Sequence, residues 1–470
     1  MSIPMLKILQ DKKLTPLVDI NPDLDNLGTE SAFSFGAEVL ALEKEKKFPQ
    51  IYKFHIGDTG PTTPEPIIET AVKALKNKQT KYGHFLGFPQ VRENIARHVS
   101  ELSGVEIKIE NVMLEPGGKP AIELALQALV GHDDYVVGQN PGFPIYESLA
   151  GFYTRGKYIP WLAGYSVANK AVLEFRVEDL EEIMKSGKKV KLLIINTPQN
   201  PTGMVLSEDK LSAIAELAKK YKFMVLFDDI YDRILFGGKK HVSLLSFPGM
   251  LDYTINLSGY SKNYAMTGWR LGYVVAPAWL IEIFGRLAVN KWSCVSRVNQ
   301  IVAGAIFGDV ELDGVKYESL KEKLDPLVEK DVAEYEHKGK FLVETLRLLE
   351  PYVVPNEVEG AFYDFPNIHA VLELPYVKNE LKISSDKDFS RWLLYEKGFA
   401  ALPGGDFGQA GRGHLRLSYA EDRNKHIIPG VKHFVNIVLE LIEKSGLKSP
   451  LTVIEAEKRI EELTDKYFQD

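Results

Sequence analysis

The stretch YSKNYAMTGWRLGY, residues 260–273, sets a lysine just beyond an apolar run and an arginine behind a Thr-Gly-Trp turn. The run before it is Tyr253-Thr-Ile-Asn-Leu257, which puts Lys262 at the mouth of a strand. Partial desolvation there disfavours the charged amine and lowers its pKa. An amine so placed can attack a carbonyl and form a Schiff base. A strand-end lysine reaching into water fits this stretch equally well, so the remaining apolar runs have to decide.

Each of those runs is followed by residues able to touch a ligand. After NVMLE comes Pro116-Gly117-Gly118-Lys119-Pro120. Its glycines let the backbone approach a ligand, and the amides of a helix start can hold a phosphate. An ordinary glycine turn has the same composition. After DYVVG comes the loop QNPGFP, whose Phe143 could lie flat over a planar ring or serve the core. After KLLIIN, the loop TPQNPTG holds Asn200 among prolines, either as a fixed amide or as part of a simple turn. After KFMVLF comes Asp228-Asp229-Ile230-Tyr231. An acid at a buried strand end is costly unless a cation pairs with it, and Tyr231 would share its cavity. Together with Arg270, these residues supply a phosphate cradle, a stacking aromatic, an amide, a buried acid, a phenol and an amine nucleophile. Pyridoxal 5'-phosphate needs all of them: its aldehyde meets the lysine, its ring nitrogen the acid, its phenolate oxygen the amide and phenol.

The elements that must position these groups follow from the pattern between them. Short apolar runs alternate with helical patterns such as PAIELALQALV and SEDKLSAIAELAKKY. That alternation predicts a mostly parallel sheet covered on both faces, with ligand chemistry at the carboxyl ends of its strands. From Val315 to Leu349 the pattern is charged and helical, and Pro326 predicts a break into a helix pair. A smaller domain would follow, ending in the amphipathic stretch LTVIEAEKRIEELTDKYF. The expected division is an N-terminal arm with part of the small domain over 1–77, a large domain over 78–315, and the small domain over 316–470.

Composition removes several classes of partner. The chain has 470 residues, 45% apolar and 26% charged, which is ordinary for a globular protein of two or three domains. A net charge of −7 gives no basic field for nucleic acid or an anionic membrane. The single cysteine, Cys294, excludes an internal disulfide and suits a reducing compartment. The start MSIPMLKILQDKK has too few apolar residues for a signal-peptide core, and no run approaches the ~18 residues that cross a bilayer. A cytoplasmic protein is expected, and no metal, since no H-E-x-x-H or Cys/His cluster occurs.

The motifs IGDTGPTTPEP, KYGHFLGFPQVRENIA, PGGKPAIELAL, NPGFPIY, TPQNPTG, DDIYDRILF, YSKNYAMTGWRLGY, VEGAFYDFP and LPGGDFGQAGRGHLRLSYA stand in an order that resembles one family. It is the class I/II aminotransferases, relatives of aspartate aminotransferase among the fold-type I pyridoxal-phosphate enzymes. The resemblance covers about Ser31 to Leu441 and implies an α/β fold with a large, mostly parallel sheet domain and a smaller α+β domain. It implies that Lys262 forms the Schiff base and then moves the substrate proton, while Asp228 holds the ring nitrogen protonated. Tyr231 and Asn200 would bond the ring oxygen, and Phe143 would stack on the ring. Gly117, Gly118, Lys119, Ser261 and Arg270 would hold the phosphate, with Tyr82 reaching that of a neighbouring subunit in a homodimer with shared sites. Arg416 would clamp the substrate carboxylate beside Gly57 and Asn200, a task suited to a bidentate fork.

What the resemblance implies as function is ping-pong exchange between an L-amino acid and a 2-oxo acid such as 2-oxoglutarate. A pyridoxal-phosphate lyase or synthase on the same fold is the alternative, because fold alone does not choose the chemistry. The chain departs from the family in four places. Gly259 stands where many relatives carry a phosphate-binding serine, the HIGDTGPTTP segment is unusual, and the 306–335 block and C-terminal helix are extra. Asn140-Pro141 and Asn200-Pro201 are candidates for cis bonds. Arg297 could meet a distal substrate carboxylate, with a surface or interface role as its default.

Overall fold

The computed structural model describes residues 8, 9, 11–28, 31–165 and 173–468, so the initial segment MSIPMLK lies outside the described residues. A seven-stranded sheet organises the larger part of the chain. Its strands are β1 (Val112–Glu115), β2 (Tyr135–Asn140), β3 (Tyr158–Leu162), β4 (Val190–Asn196), β5 (Met224–Asp228), β6 (Thr254–Gly259) and β7 (Gly272–Val275). Their spatial order is β1-β7-β6-β5-β4-β2-β3. The pairs β3–β2, β2–β4, β4–β5 and β5–β6 are parallel, and β7 alone runs against both its neighbours.

The near-continuous apolar runs follow from burial on both faces. Val136, Leu192, Ile194, Leu226 and Ile255 pack on one side with the helices Lys119–Leu129, Pro144–Thr154 and Ala278–Trp292. Val137, Leu193, Ile195, Val225 and Phe227 pack on the other with Val177–Lys185 and Glu208–Tyr221. The edge strand β3 was not foreseen: its sequence YIPWL holds a proline, which an edge tolerates because one side of the strand makes no ladder bonds.

The second packing unit contains an antiparallel sheet of Tyr363–Asp364, Leu415–Ser418 and Leu402–Pro403 in which Leu415–Ser418 is central. Around it lie the helices Lys321–Arg347, Asp386–Lys397, Ile428–Lys444 and Val453–Phe468. The early strand Tyr52–Lys53 pairs in parallel with Phe399–Ala400, and the Ser418 amide donates to the Phe54 carbonyl at 2.8 Å. Sequence distant from the C-terminal part is thereby stitched into it.

The predicted helix pair over Val315–Leu349 is corrected. Val310–Leu312 and Val315–Tyr317 form a hairpin, and one helix, Lys321–Arg347, runs through Pro326. The lost bond would have gone to Glu322, which lies with Pro326 on the exposed face near the helix start, where water can replace it. The C-terminal helix docks on this long helix. Ala456 and Ile460 are buried, Phe468 meets Phe341 at 5.4 Å, and Lys466 pairs with Glu344 at 2.8 Å. Asn140-Pro141 and Asn200-Pro201 are cis, as anticipated, and so are Thr197-Pro198 and Glu350-Pro351. No helix among the described residues is long and apolar enough to cross a membrane.

Candidate active site

The parallel strands deliver their carboxyl ends to one edge of the sheet, and reversed β7 begins there, just after Arg270. Asp228 is the last residue of β5, facing Asn196 on β4 and Leu257 on β6 in register. Its carboxylate is buried and accepts from the Tyr146 hydroxyl at 2.6 Å and the Ile230 amide at 3.1 Å. These donors are neutral, and burial pushes its pKa up from the ordinary 3.8 to about 7. Lys262, three residues past the end of β6, is half-buried and lies close enough to favour the charged acid. Its Nζ donates to the Gly57 carbonyl and stands 5.7 Å from the centre of the Phe362 ring.

Arg416 enters from the smaller sheet. It is buried, donating from one Nη to the His55 carbonyl at 2.6 Å and from the other to Asn200 Oδ1 at 3.3 Å. Its guanidinium lies 4.7 Å from the Tyr363 ring centre and 5.1 Å from that of Phe407, which hold its plane. Gly57 leaves room at this spot: a Cβ there would sit 3.9 Å from both terminal nitrogens of Arg416 and 3.5 Å from the Tyr363 hydroxyl. Tyr231 is buried with its hydroxyl 3.0 Å from that of Tyr363, and burial raises its pKa well above the ordinary phenol value.

At the other end of the edge, Gly117 has φ +92°, and a Cβ there would come within 2.3 Å of the Arg270 guanidinium. Glycine is therefore what lets the arginine lie against the turn. Gly118 caps the helix Lys119–Leu129 without a side-chain bond, so its first amides stay available to an anion. Phe143 caps the helix Pro144–Thr154 and meets Tyr146 edge-on at 5.4 Å, with the Lys119 ammonium 5.5 Å from its ring centre. Ser261 is buried beside Lys262. Tyr82 is 84% exposed and is not brought to this group by its own chain.

One departure and one further candidate find physical reasons. A Cβ on Gly259 would sit 3.1 Å from the Gly272 Cα and 3.2 Å from the Leu271 carbonyl, so the close pass of β6 and β7 favours glycine there. Arg297 does not face the site: it donates to Gln79 at 2.5 Å and pairs with Asp313, covering the Phe88 ring at 5.1 Å. Sequence reasoning passed over Tyr146, Tyr363, Phe407 and His55, although all four lie inside quoted stretches. It also passed over Glu115, the last residue of β1. That acid is fully buried, and burial, then repulsion from Asp228, drives its pKa far above the carboxylate range, against a smaller opposite effect of the Ala121 amide.

Over residues 51–428 the chain matches the family model of class I and II aminotransferases, and it belongs to that family. It is 30% identical over 387 residues to the aspartate aminotransferase of Pyrococcus horikoshii, spanning 82% of this chain and 90% of that enzyme. It is 32% identical to the aromatic-amino-acid aminotransferase 2 of Thermococcus litoralis, over 79% of this chain and 87% of the relative. The solved structure of the aromatic aminotransferase from Pyrococcus horikoshii superposes with a TM-score of 0.73 at 28% identity, covering 88% of this chain and all of that one. The protein is thus a fold-type I aminotransferase, a transferase of nitrogenous groups. Its family uses pyridoxal phosphate.

The residues present fit such a group on two counts. Asp228 is a buried acid short of a cation, which a protonated ring nitrogen supplies. The Gly117 turn, the helix start and Arg270 together form an anion cradle that a Cβ would fill.

Proposed function

We propose that this chain is a pyridoxal-5'-phosphate-dependent enzyme that moves an amino group between an L-amino acid and a 2-oxo acid, with 2-oxoglutarate as acceptor. The observation that carries the reading is the meeting of Lys262 and Arg416 at Gly57. Lys262 donates to the carbonyl of the residue whose Cα faces the Arg416 fork. An amine able to move a proton and a guanidinium able to hold a carboxylate therefore stand on either side of one small space.

Bound here, the cofactor supplies a carbonyl for the amino group and a cationic ring that draws electrons from the substrate α-carbon. Asp228, as an anion, keeps the ring nitrogen protonated, and the Tyr146 hydroxyl holds the carboxylate in place. Tyr231 and Asn200 would bond the ring oxygen, and Phe143 would stack on the ring. Gly117, Gly118, Lys119, Ser261 and Arg270 would hold the phosphate. Arg416, with Gly57 and Asn200, holds the substrate carboxylate, so that the Cα–H bond points toward Lys262. The Lys262 amine takes that proton and returns one to the acceptor in the second half-reaction. Every donor and acceptor carries this carboxylate, so one arginine serves both halves.

The exposure of Tyr82, with Trp279 53% exposed, supports a homodimer in which Tyr82 completes the phosphate site of a second copy. The pairing of Tyr52–Lys53 with Phe399–Ala400 supports the division into 1–77, 78–315 and 316–470, with the first segment shared by the small domain. One cysteine and a net charge of −7 support a cytoplasmic enzyme with no nucleic-acid or membrane partner. The test is to incubate the enzyme with each amino acid and 2-oxoglutarate. Appearance of glutamate matched by the donor's oxo acid supports the reading; release of ammonia without glutamate defeats it.

A further inference from the structure

The helix Lys321–Arg347 carries a lysine that the proposed chemistry does not use. Lys338 is 4% exposed, and its ammonium donates to the carbonyls of Ala420 at 3.1 Å and Glu421 at 3.0 Å. Burial holds its pKa below the usual lysine value, although Glu334, Asp422, Glu421 and Asp331 all bear on it in the opposite sense. The Tyr335 ring, 5.1 Å from Nζ, covers it. A buried ammonium bonded to neutral carbonyls is an expensive way to join a helix to a turn, since an apolar side chain would pack there at lower cost. What it fixes is the turn.

That turn follows directly from the strand carrying Arg416 and presses on the segment carrying Gly57. A Cβ on Gly60 would lie only 2.0 Å from the Ala420 oxygen, so the carbonyl that Lys338 grips is packed against the Gly60 backbone. Beyond Gly60, Thr63 Oγ1 donates to the Ala265 carbonyl at 2.7 Å and accepts from Trp269 Nε1 at 3.0 Å. The segment 57–63 is thus anchored at its far end to the loop that bears Lys262 and in its middle to the turn held by Lys338. Gly339 tightens the same junction: a Cβ there would come within 3.0 Å of the Tyr419 ring.

We propose that Lys338 is a positioning residue for substrate binding: by holding the Ala420–Glu421 turn against Gly60, it sets the spacing of Gly57 from the Arg416 guanidinium. The inference rests on the carboxylate-holding role given above to Arg416 and Gly57. Lys338 touches neither substrate nor cofactor. Its loss should let segment 57–63 drift from the fork while leaving the phosphate cradle, built on β1 and β7, in place.

The experiment compares Lys338→Met, Lys338→Arg and Gly60→Ala with the wild-type holoenzyme, using Lys340→Met as control. Lys340 lies on the same helix, exposed and paired with Glu336. Lys338→Met is expected to raise KM for every donor and acceptor together by about tenfold, a misplacement effect, with kcat changed far less. Cofactor absorbance and affinity should match the wild type. Lys338→Arg should recover most of the loss, Gly60→Ala should reproduce it from the other side of the contact, and Lys340→Met should change nothing. Wild-type KM values in Lys338→Met, or equal losses of kcat and cofactor in step with a lowered Tm, overturn the positioning role. Should Lys338→Met fail to fold, Gly60→Ala decides: an unaltered KM overturns the proposal and a raised one supports it. A wild type that exchanges no amino group defeats the proposed function instead, whatever the variants do.

Discussion

Asp228→Asn should make the cofactor-free protein more stable and its hold on the cofactor weaker, both through one buried charge. The Asp228 pKa moves from the ordinary 3.8 to about 7, with burial as the largest cause. At about 1.4 kcal/mol for each tenfold change in proton affinity, holding the charge without a cation costs about 4 kcal/mol. The sign follows from proton counts. Between the two values the folded protein binds the proton and the unfolded chain does not, so stability falls as pH rises through that window. Below it no cost remains; above it the whole cost is present. The asparagine variant avoids the cost while keeping the geometry: its oxygen can accept from the Ile230 amide, and its NH2 can donate to the Tyr146 hydroxyl.

The assay is thermal unfolding of both cofactor-free proteins at pH 4 and pH 8. Asp228→Asn should gain up to about 4 kcal/mol over the wild type at pH 8 and almost nothing at pH 4. With cofactor bound the variant's advantage should shrink to about 1–2.5 kcal/mol at pH 8, because it loses the charged bond to the ring nitrogen, worth roughly 1.5–3 kcal/mol, or one to two powers of ten in affinity. A variant no more stable than wild type at pH 8, or one that binds cofactor equally well, refutes the reasoning.

Three further outcomes are expected. Lys262→Ala should bind the cofactor and a donor amino acid yet form no 2-oxo acid in a single-turnover assay; product at the wild-type rate would assign the proton transfer elsewhere. Arg416→Lys should weaken all donors and acceptors together by at least about tenfold, since a compact ammonium cannot replace a planar fork, and steady-state KM values across several side chains check this. Gly259→Ser should lower stability by about 1–3 kcal/mol, because the Cβ would meet the Gly272 Cα at 3.1 Å; an unchanged urea midpoint would show that β6 and β7 can separate freely.

The placement of the candidate site was legible because each group follows an apolar run that ends at the same sheet edge. Asp228, Asn200, Lys262 and the Gly117-Gly118 turn could be placed from the alternation of strands and helices alone. Arg270 could be linked to them only by its motif, since its position depends on β7 running backwards, and LGYVVA does not encode strand direction. The helix through Pro326 escaped prediction for a related reason. A proline signals a missing bond, while solvent exposure decides whether that loss ends a helix, and exposure is a property of the packed fold.

Residues that act across long sequence separations were the least visible. Tyr146 lies in NPGFPIY, but its bond to Asp228 exists because the helix after β2 packs over the end of β5. Glu115 and Lys338 carry no motif, and a charged residue in sequence ordinarily suggests a solvated surface. Both are buried, and they resolve that burial differently. Glu115 is buried near another acid, so the neutral carboxyl is the favoured form. Lys338 finds two carbonyls and can keep its charge. The first becomes neutral; the second keeps its charge and holds the turn after Arg416, which packs against Gly60. The groups proposed to touch substrate are thus written locally at strand ends, whereas the groups proposed to fix their spacing arise only when distant elements meet.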